Sequence, residues 1–385
     1  MEKFPGNISS KLPNVGTSIF AVMSKLAHEH GAINLSQGFP DFEVSPVLID
    51  LIHKYMKEGH NQYAPMTGIL PLRQAISSKV HDMYGANYDP ETEINITAGG
   101  TQAISSIIEA FVREDDEVII FEPAYDSYSP VIKLNNGMVK HSELKLPDYH
   151  IDWNEVKKMI TSRTRMIIIN TPHNPSGAVL RESDMKELNT ITENSDILIL
   201  SDEVYEHLIF DDLRHESICR YPQLAKRSLI VGSFGKTFHA TGWKMGFVLA
   251  PENLMSEFRK THQFIVFSVN TPIQYALAEF MQDKSNYTGL SAFYQERRDY
   301  FVKLIEGSRF RIIPSHGTYF QLLDYSAISK EKDLDYAIRL TKEFGLAAIP
   351  VSPFYQQKTD NKVLRFCFAK KNETLEKAAE ILCKI

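Results

Sequence analysis

The stretch SFGKTFHATGWKMG, Ser233 to Gly246, decides how this chain is read. An apolar run, SLIVG (228–232), leads straight into it. The stretch then presents a serine and two amines, Lys236 and Lys244, among small and hydroxylated residues. Its GKT resembles the end of a phosphate-binding P-loop. That loop needs a glycine five positions before Gly235, and the residue there is Ile230, so a nucleotide-triphosphate site is excluded at this point.

Outward from this stretch, short β-branched runs recur: INIT (94–97), EVIIF (117–121), MIIIN (166–170), DILILS (196–201), SLIVG (228–232) and GFVLA (246–250). Several are almost continuously apolar, as strands covered on both faces are. Helix-like stretches such as TQAISSIIEAFV and RESDMKELNTITEN separate most of them. The alternation predicts an α/β fold with a mainly parallel central sheet and helices on both faces. Beyond about residue 290 the pattern changes to an amphipathic helix (FYQERRDYFVKLIEG), strand-like runs (FRIIPS, GTYFQLLDY, KVLRFCFA) and two more helices. These predict a smaller α+β domain. The Pro- and Gly-punctuated first 40 or so residues fit neither part alone. The expected division is a large domain over 41–285 and a small one built from 1–40 and 286–385.

The chain has 385 residues, of which 43% are hydrophobic and 23% charged, with a net charge of −6. That is an ordinary globular composition, with ample length for a core and no global attraction for nucleic acid. The N-terminus lacks a secretory apolar core, and no apolar run approaches a membrane span. The three cysteines, Cys219, Cys367 and Cys383, have no metal-ligand spacing. A cytoplasmic protein with reduced thiols and no metal is expected.

In open α/β sheets, ligands gather beyond the carboxyl ends of the strands. Here those ends carry a consistent set. INIT is followed by Gly100, Thr101 and Gln102 at a helix start, where free N–H groups form an anion site. EVIIF is followed by Tyr125, MIIIN by Asn174, DILILS by Asp202 and Tyr205, and SLIVG by Ser233 and Lys236. Each has a plainer alternative. For the glycines it is a simple helix start, for Tyr125 a core position, for Asn174 a turn, for Asp202 a cap on the next helix, and for Lys236 solvation. The plainer readings do not account for all of them meeting at one sheet edge. Pyridoxal 5'-phosphate requires this set: a lysine for its aldehyde, a carboxylate for its pyridine nitrogen, a flat partner for its ring, donors for its phenolic oxygen and an anion nest for its phosphate.

The motifs NLSQGFPDF, NQYAPMTGILPLRQAI, TAGGTQA, NTPHNPSG, SDEVYEHLIF, SFGKTFHATGWKMG and LRFCFAK together resemble the fold-type I pyridoxal-phosphate-dependent aminotransferases of class I/II, over essentially the whole chain. FSVNTPIQYALA, GTYFQLLDYSA and LAAIPVSPFY are similar to the methionine aminotransferase branch, beside the kynurenine aminotransferase and glutamine transaminase K group. The resemblance implies that Lys236 holds the cofactor covalently and Asp202 pairs with its pyridine nitrogen. Asn174 and Tyr205 would bond its phenolic oxygen, and Tyr125 would stack on its ring. Gly100, Thr101, Gln102, Ser233 and Lys244 would hold its phosphate. Arg365 would grip the substrate carboxylate, helped by Asn174 and the Gly38 backbone. Tyr63 would reach the neighbouring subunit's phosphate, so a homodimer with shared sites is implied. Many class I members carry arginine at the position of Lys244; lysine fits this branch.

Arg365 can also be read from below. Strand alternation puts it opposite Leu364, Phe366 and Phe368, and its planar fork suits a carboxylate. An ordinary exposed strand arginine is the alternative. The implied activity is a ping-pong transamination from methionine or an aromatic or neutral amino acid to a 2-oxo acid. A kynurenine or glutamine transaminase with cysteine-conjugate β-lyase activity is the rival. A catalytically silent cofactor-binding regulator would be expected to lack the lysine or to carry a fused DNA-binding segment. The segment THQFIVFSVN has no arginine after Arg259 to meet a side-chain carboxylate, and Phe39, Phe264 and Phe267 suggest an apolar pocket.

Overall fold

The computed structural model describes residue 1 and residues 3–385. In chain order its strands are β1 (Ile33–Asn34), β2 (Ile94–Thr97), β3 (Glu117–Glu122), β4 (Met138–Glu143), β5 (Thr164–Asn170), β6 (Leu198–Asp202), β7 (Ser228–Ser233), β8 (Gly246–Leu249), β9 (Arg311–Ile313), β10 (Phe320–Asp324), β11 (Leu346–Ala347), β12 (Ile349–Pro350) and β13 (Val363–Cys367). Seven of them form the central sheet in the order β2-β8-β7-β6-β5-β3-β4. Strands β3 to β7 run parallel, while β8 is antiparallel to both neighbours.

The apolar runs dictate this sheet. Along β3, Val118 and Ile120 pack on one face with Ile104, Ile107 and Ile108 of the helix Gly100–Phe111. Ile119 and Phe121 pack on the other. Met166 and Ile168 of β5 alternate with Ile167 and Ile169 in the same way. A strand buried on both faces has no polar side, which is why these runs show little period-two pattern. Strand β4 escaped the sequence reading because it is a half-exposed edge, Met-Val-Lys-His-Ser-Glu, without an apolar signature.

The C-terminal part forms an antiparallel sheet, β12-β13-β10-β9, in which Arg365 stands opposite Leu322 and Ile349. The N-terminal segment is stitched into this part. Strand β1 pairs with β11, the Leu35 N–H donates to the Ala347 oxygen at 3.0 Å, and the Leu35 oxygen accepts from the Cys367 N–H at 2.8 Å. Ser36 to Gly38 are thereby carried to the carboxyl edge of the large sheet.

Candidate active site

A cavity of about 280 Å³ lies where the carboxyl ends of β5, β6 and β7 meet the start of the helix Gly100–Phe111 and the inner face of β13. Gly38, Gly100, Thr101, Tyr125, Asn174, Asp202, Tyr205, Ser233, Lys236, Lys244 and Arg365 all line it. Two sequence-derived candidates do not. The Gln102 side chain turns back on its own helix, its Oε1 accepting from the Ala98 N–H at 2.9 Å and its Nε2 donating to Ser106 Oγ at 2.6 Å. Only its backbone N–H remains for an anion. Tyr63 is 82% exposed, edge-on to Phe267 at 5.3 Å, outside this chain's cavity. Phe264 and Phe267 are likewise exposed there, whereas Phe39 lines the cavity.

The anion end is built from backbone. Gly99 occupies the N-cap with φ +84° and no side-chain cap, so the first N–H groups of the helix remain free. A glycine is needed there because that φ strains any residue with a Cβ. Lys244, itself left-handed at φ +53°, crosses beside it. Thr101 Oγ1 and Tyr125 Oη are 3.1 Å apart at the same end.

Asp202 ends β6 and faces Asn170 across the β5–β6 pair. No helix follows it, so the helix-cap alternative fails; Tyr205 sits in the turn that follows instead. Asp202 Oδ2 accepts from Tyr128 Oη at 2.5 Å and Asp202 Oδ1 from the Val204 N–H at 3.3 Å. Burial pushes its carboxyl up to about 6, with the Tyr128 hydrogen bond opposing. Lys236, in a single helical turn after β7, is pushed down to about 8, first by burial. Its Nζ donates to Tyr319 Oη at 2.8 Å and to the Gly38 oxygen at 3.2 Å.

Arg365 is 1% exposed, so the solvated-strand alternative fails. Its guanidinium lies 3.9 Å from the Phe320 ring centre and 5.1 Å from that of Phe20. Nη1 donates to Asn174 Oδ1 at 2.8 Å and Nη2 to the Ser36 oxygen at 3.1 Å. Its Nε is buried without a hydrogen-bond partner among the described residues. A buried cation with an unanswered donor has the chemistry to receive an anion such as a carboxylate. Asn170 ties the two ends together: its Nδ2 donates to the Asp202 oxygen at 2.9 Å and its Oδ1 accepts from the Asn174 N–H at 2.8 Å.

The residues that sequence reasoning missed are Tyr128, Asn170, Tyr319, Phe320 and Phe20. Tyr128 and Asn170 had a usable signal, since one lies three residues past Tyr125 and the other ends the MIIIN run. Tyr319 and Phe20 come from segments far away in sequence and had none.

The profile of the family Aminotransferase class I and II matches residues 30–382. The chain is a class I and II aminotransferase. It is 47% identical to the methionine aminotransferase of Escherichia coli over 97% of each chain. It is 33% identical to human kynurenine–oxoglutarate transaminase 1 over 94% of each. A solved Escherichia coli structure described as identifying a methionine aminotransferase function superposes with a TM-score of 0.96, at 46% identity, covering 99% of this chain and all of that one. The aminotransferase is thus a pyridoxal-phosphate-dependent transaminase of fold type I. Its own donor set fits that cofactor: a buried carboxylate and a lysine of lowered pKa face one cavity, whose far end is an uncapped helix start beside a second lysine.

Proposed function

We propose that the enzyme moves the amino group of methionine, or of another neutral or aromatic amino acid, to a 2-oxo acid by a ping-pong cycle. The observation that carries this is the cation inventory of the cavity. Lys236, Lys244 and Arg365 are the cations lining it among the described residues, and Phe20, Phe39 and Phe320 form apolar walls. A second carboxylate, on the substrate's side chain, finds no further cation lining the cavity among the described residues. Similarity to the Escherichia coli methionine aminotransferase supports the same donor. Similarity to the human kynurenine–oxoglutarate transaminase supports an aromatic donor as the second reading.

In this reading Lys236 would hold the cofactor by its aldehyde, and its amine would carry the substrate's α-proton as base and then acid. When bound, pyridoxal phosphate supplies the electron sink for the ionising Cα–H bond. Asp202, held ionised by Tyr128, keeps the pyridine nitrogen protonated. Tyr205 and Asn174 would donate to the phenolic oxygen, and Tyr125 would serve as the flat partner of the ring. The N–H groups of Gly100, Thr101 and Gln102, with Ser233 and Lys244, take the phosphate. Arg365 takes the substrate carboxylate in a two-pronged grip beside Asn174 and the Gly38 backbone.

The functional unit in this proposal is a cytoplasmic homodimer. Supporting this, Tyr63 and Phe267 form an exposed aromatic pair, and Phe264 is exposed as well. The division into a large domain (41–285) and a small one (1–40 with 286–385) is supported by the β1–β11 pairing.

Steady-state kinetics with methionine and aspartate, each against the same 2-oxo acid, test the donor preference. Burying an uncompensated carboxylate costs several kcal/mol. Burying a thioether gains roughly 1.5–3 kcal/mol. Methionine should therefore exceed aspartate in kcat/KM by about a thousandfold or more. Comparable values would refute the donor preference while leaving the transaminase chemistry intact.

A further inference from the structure

The Lys236 amine has a partner that bonding a cofactor does not require. Tyr319 Oη accepts from Lys236 Nζ at 2.8 Å and donates to the Gly38 oxygen at 2.5 Å, and Lys236 Nζ reaches that same oxygen at 3.2 Å. The three groups close a triangle. Tyr319 is fully buried, its ring set edge-on against Tyr205 at 5.2 Å and Phe320 at 4.9 Å, so its hydroxyl has one place to be. The Gly38 backbone lies close against the same aromatic cluster, since a Cβ on residue 38 would stand 2.9 Å from the Phe320 ring.

We propose that Tyr319 and the Gly38 carbonyl form a fixed seat for the Lys236 amine, which aims the amine's lone pair at the substrate's α-proton. A neutral amine has two N–H bonds and one lone pair. On this seat both N–H bonds are engaged, one per acceptor, and the lone pair alone is free. When the α C–H bond breaks, its electron pair stays with the substrate and the proton becomes the third N–H of an ammonium. That N–H breaks when the proton passes to the receiving carbon. The Tyr319 proton stays on its hydrogen bond to the Gly38 oxygen throughout, so the tyrosine neither gains nor loses one. Tyr319 is thus a positioning residue that acts through Lys236.

The seat is also geared to substrate binding. Ser36, two residues before Gly38, offers its oxygen to Arg365 Nη2 at 3.1 Å. One short backbone segment therefore sets both the carboxylate grip and the base. Burial lowers the Lys236 ammonium to about 8, so a released amine is partly neutral near physiological pH.

The proposal rests on Lys236 being the proton carrier, and the two can fail separately. Tyr319→Phe keeps the ring and removes the hydroxyl. In the holoenzyme, single turnovers with ordinary and α-deuterated methionine should slow by roughly tenfold to a hundredfold, with a larger isotope effect and KM changed less than kcat. Cofactor-free protein gives a second readout that survives poor cofactor retention. The oxygen of Tyr319 favours the ammonium over the neutral amine, so its loss should lower the pH midpoint of Lys236 acylation by about half a unit or more. Movement of either the isotope effect or the midpoint supports the seat. If both match the unsubstituted protein, the seat is overturned. Lys236→Ala is the separate control: α-proton exchange surviving in it would refute the underlying role of Lys236 itself.

Discussion

Removing the Asp202 charge should make the cofactor-free protein more stable at neutral pH, even as it disables the enzyme. The carboxyl is buried, which lifts it from 3.8 to about 6. A shift of about 2 units corresponds to roughly 3 kcal/mol of folding free energy, at 1.36 kcal/mol per unit. The folded protein holds this proton more tightly than the unfolded chain does. The penalty is therefore absent below about pH 4 and complete above about pH 6, and stability falls as pH rises through that window. Asp202→Asn removes the charge but weakens the bond from Tyr128, a loss of about 1 kcal/mol. The net expectation is a gain of about 2 kcal/mol at pH 7 in cofactor-free protein, turning into a loss of up to about 1 kcal/mol at pH 4. Urea unfolding of both proteins across pH 4 to 8 measures it. Holoenzyme should show the opposite order, because a protonated pyridine nitrogen satisfies the aspartate and not the asparagine. Equal stabilities at every pH would refute the reasoning, since burial would then impose no penalty on the carboxylate.

Four further outcomes can be measured. Arg365→Lys replaces a fork stacked on Phe320 with a point charge, and should raise KM for amino acids by roughly tenfold to a hundredfold, read by steady-state kinetics. Because only the neutral amine attacks an aldehyde, the rate at which cofactor-free protein combines with pyridoxal phosphate should climb with pH to a plateau above about 8; a climb continuing toward 10 in stopped-flow absorbance would contradict the burial of Lys236. Borohydride reduction of the holoenzyme followed by peptide mapping should label Lys236, and label on Lys244 would reverse their roles. In sedimentation the protein should run as a dimer, with Tyr63→Phe weakening cofactor retention; a fully active monomer would dispose of the shared site.

The parts of this molecule that could be read without coordinates are those whose cause is local. Strands β3, β5, β6, β7 and β8 announce themselves because burial on both faces leaves their centres apolar, while β2, with Asn95 and Thr97 buried in it, shows only by its β-branched residues. The residues just past their ends were found by the same logic. Asp202 shows its limit: the end of an apolar run was visible, but whether a helix or a turn followed was not. The edge strand β4 and the side-chain turn of Gln102 depend on what lies beside them, which no spacing encodes. Tyr319 meets Gly38 across 281 positions of sequence, so no window of the chain contains their contact. Arg365 is intermediate: its strand and its face were legible, but its aromatic surroundings at Phe20 and Phe320 were not.

The stitching of the N-terminal segment beside β13 has a consequence for how the protein is made. Ser36 leaves the ribosome 329 residues before its partner Arg365, and Gly38 281 residues before Tyr319. At roughly 5–20 residues per second, the chain spends on the order of tens of seconds with its opening segment unpaired. During that interval the strand ends of the large sheet, with Asp202 and Lys236, can already be in place. The nascent chain can then present an amine and an anion nest before it can present a substrate site. Cofactor capture is free to precede the closing of the fold, and the last strand to emerge, β13, completes the site.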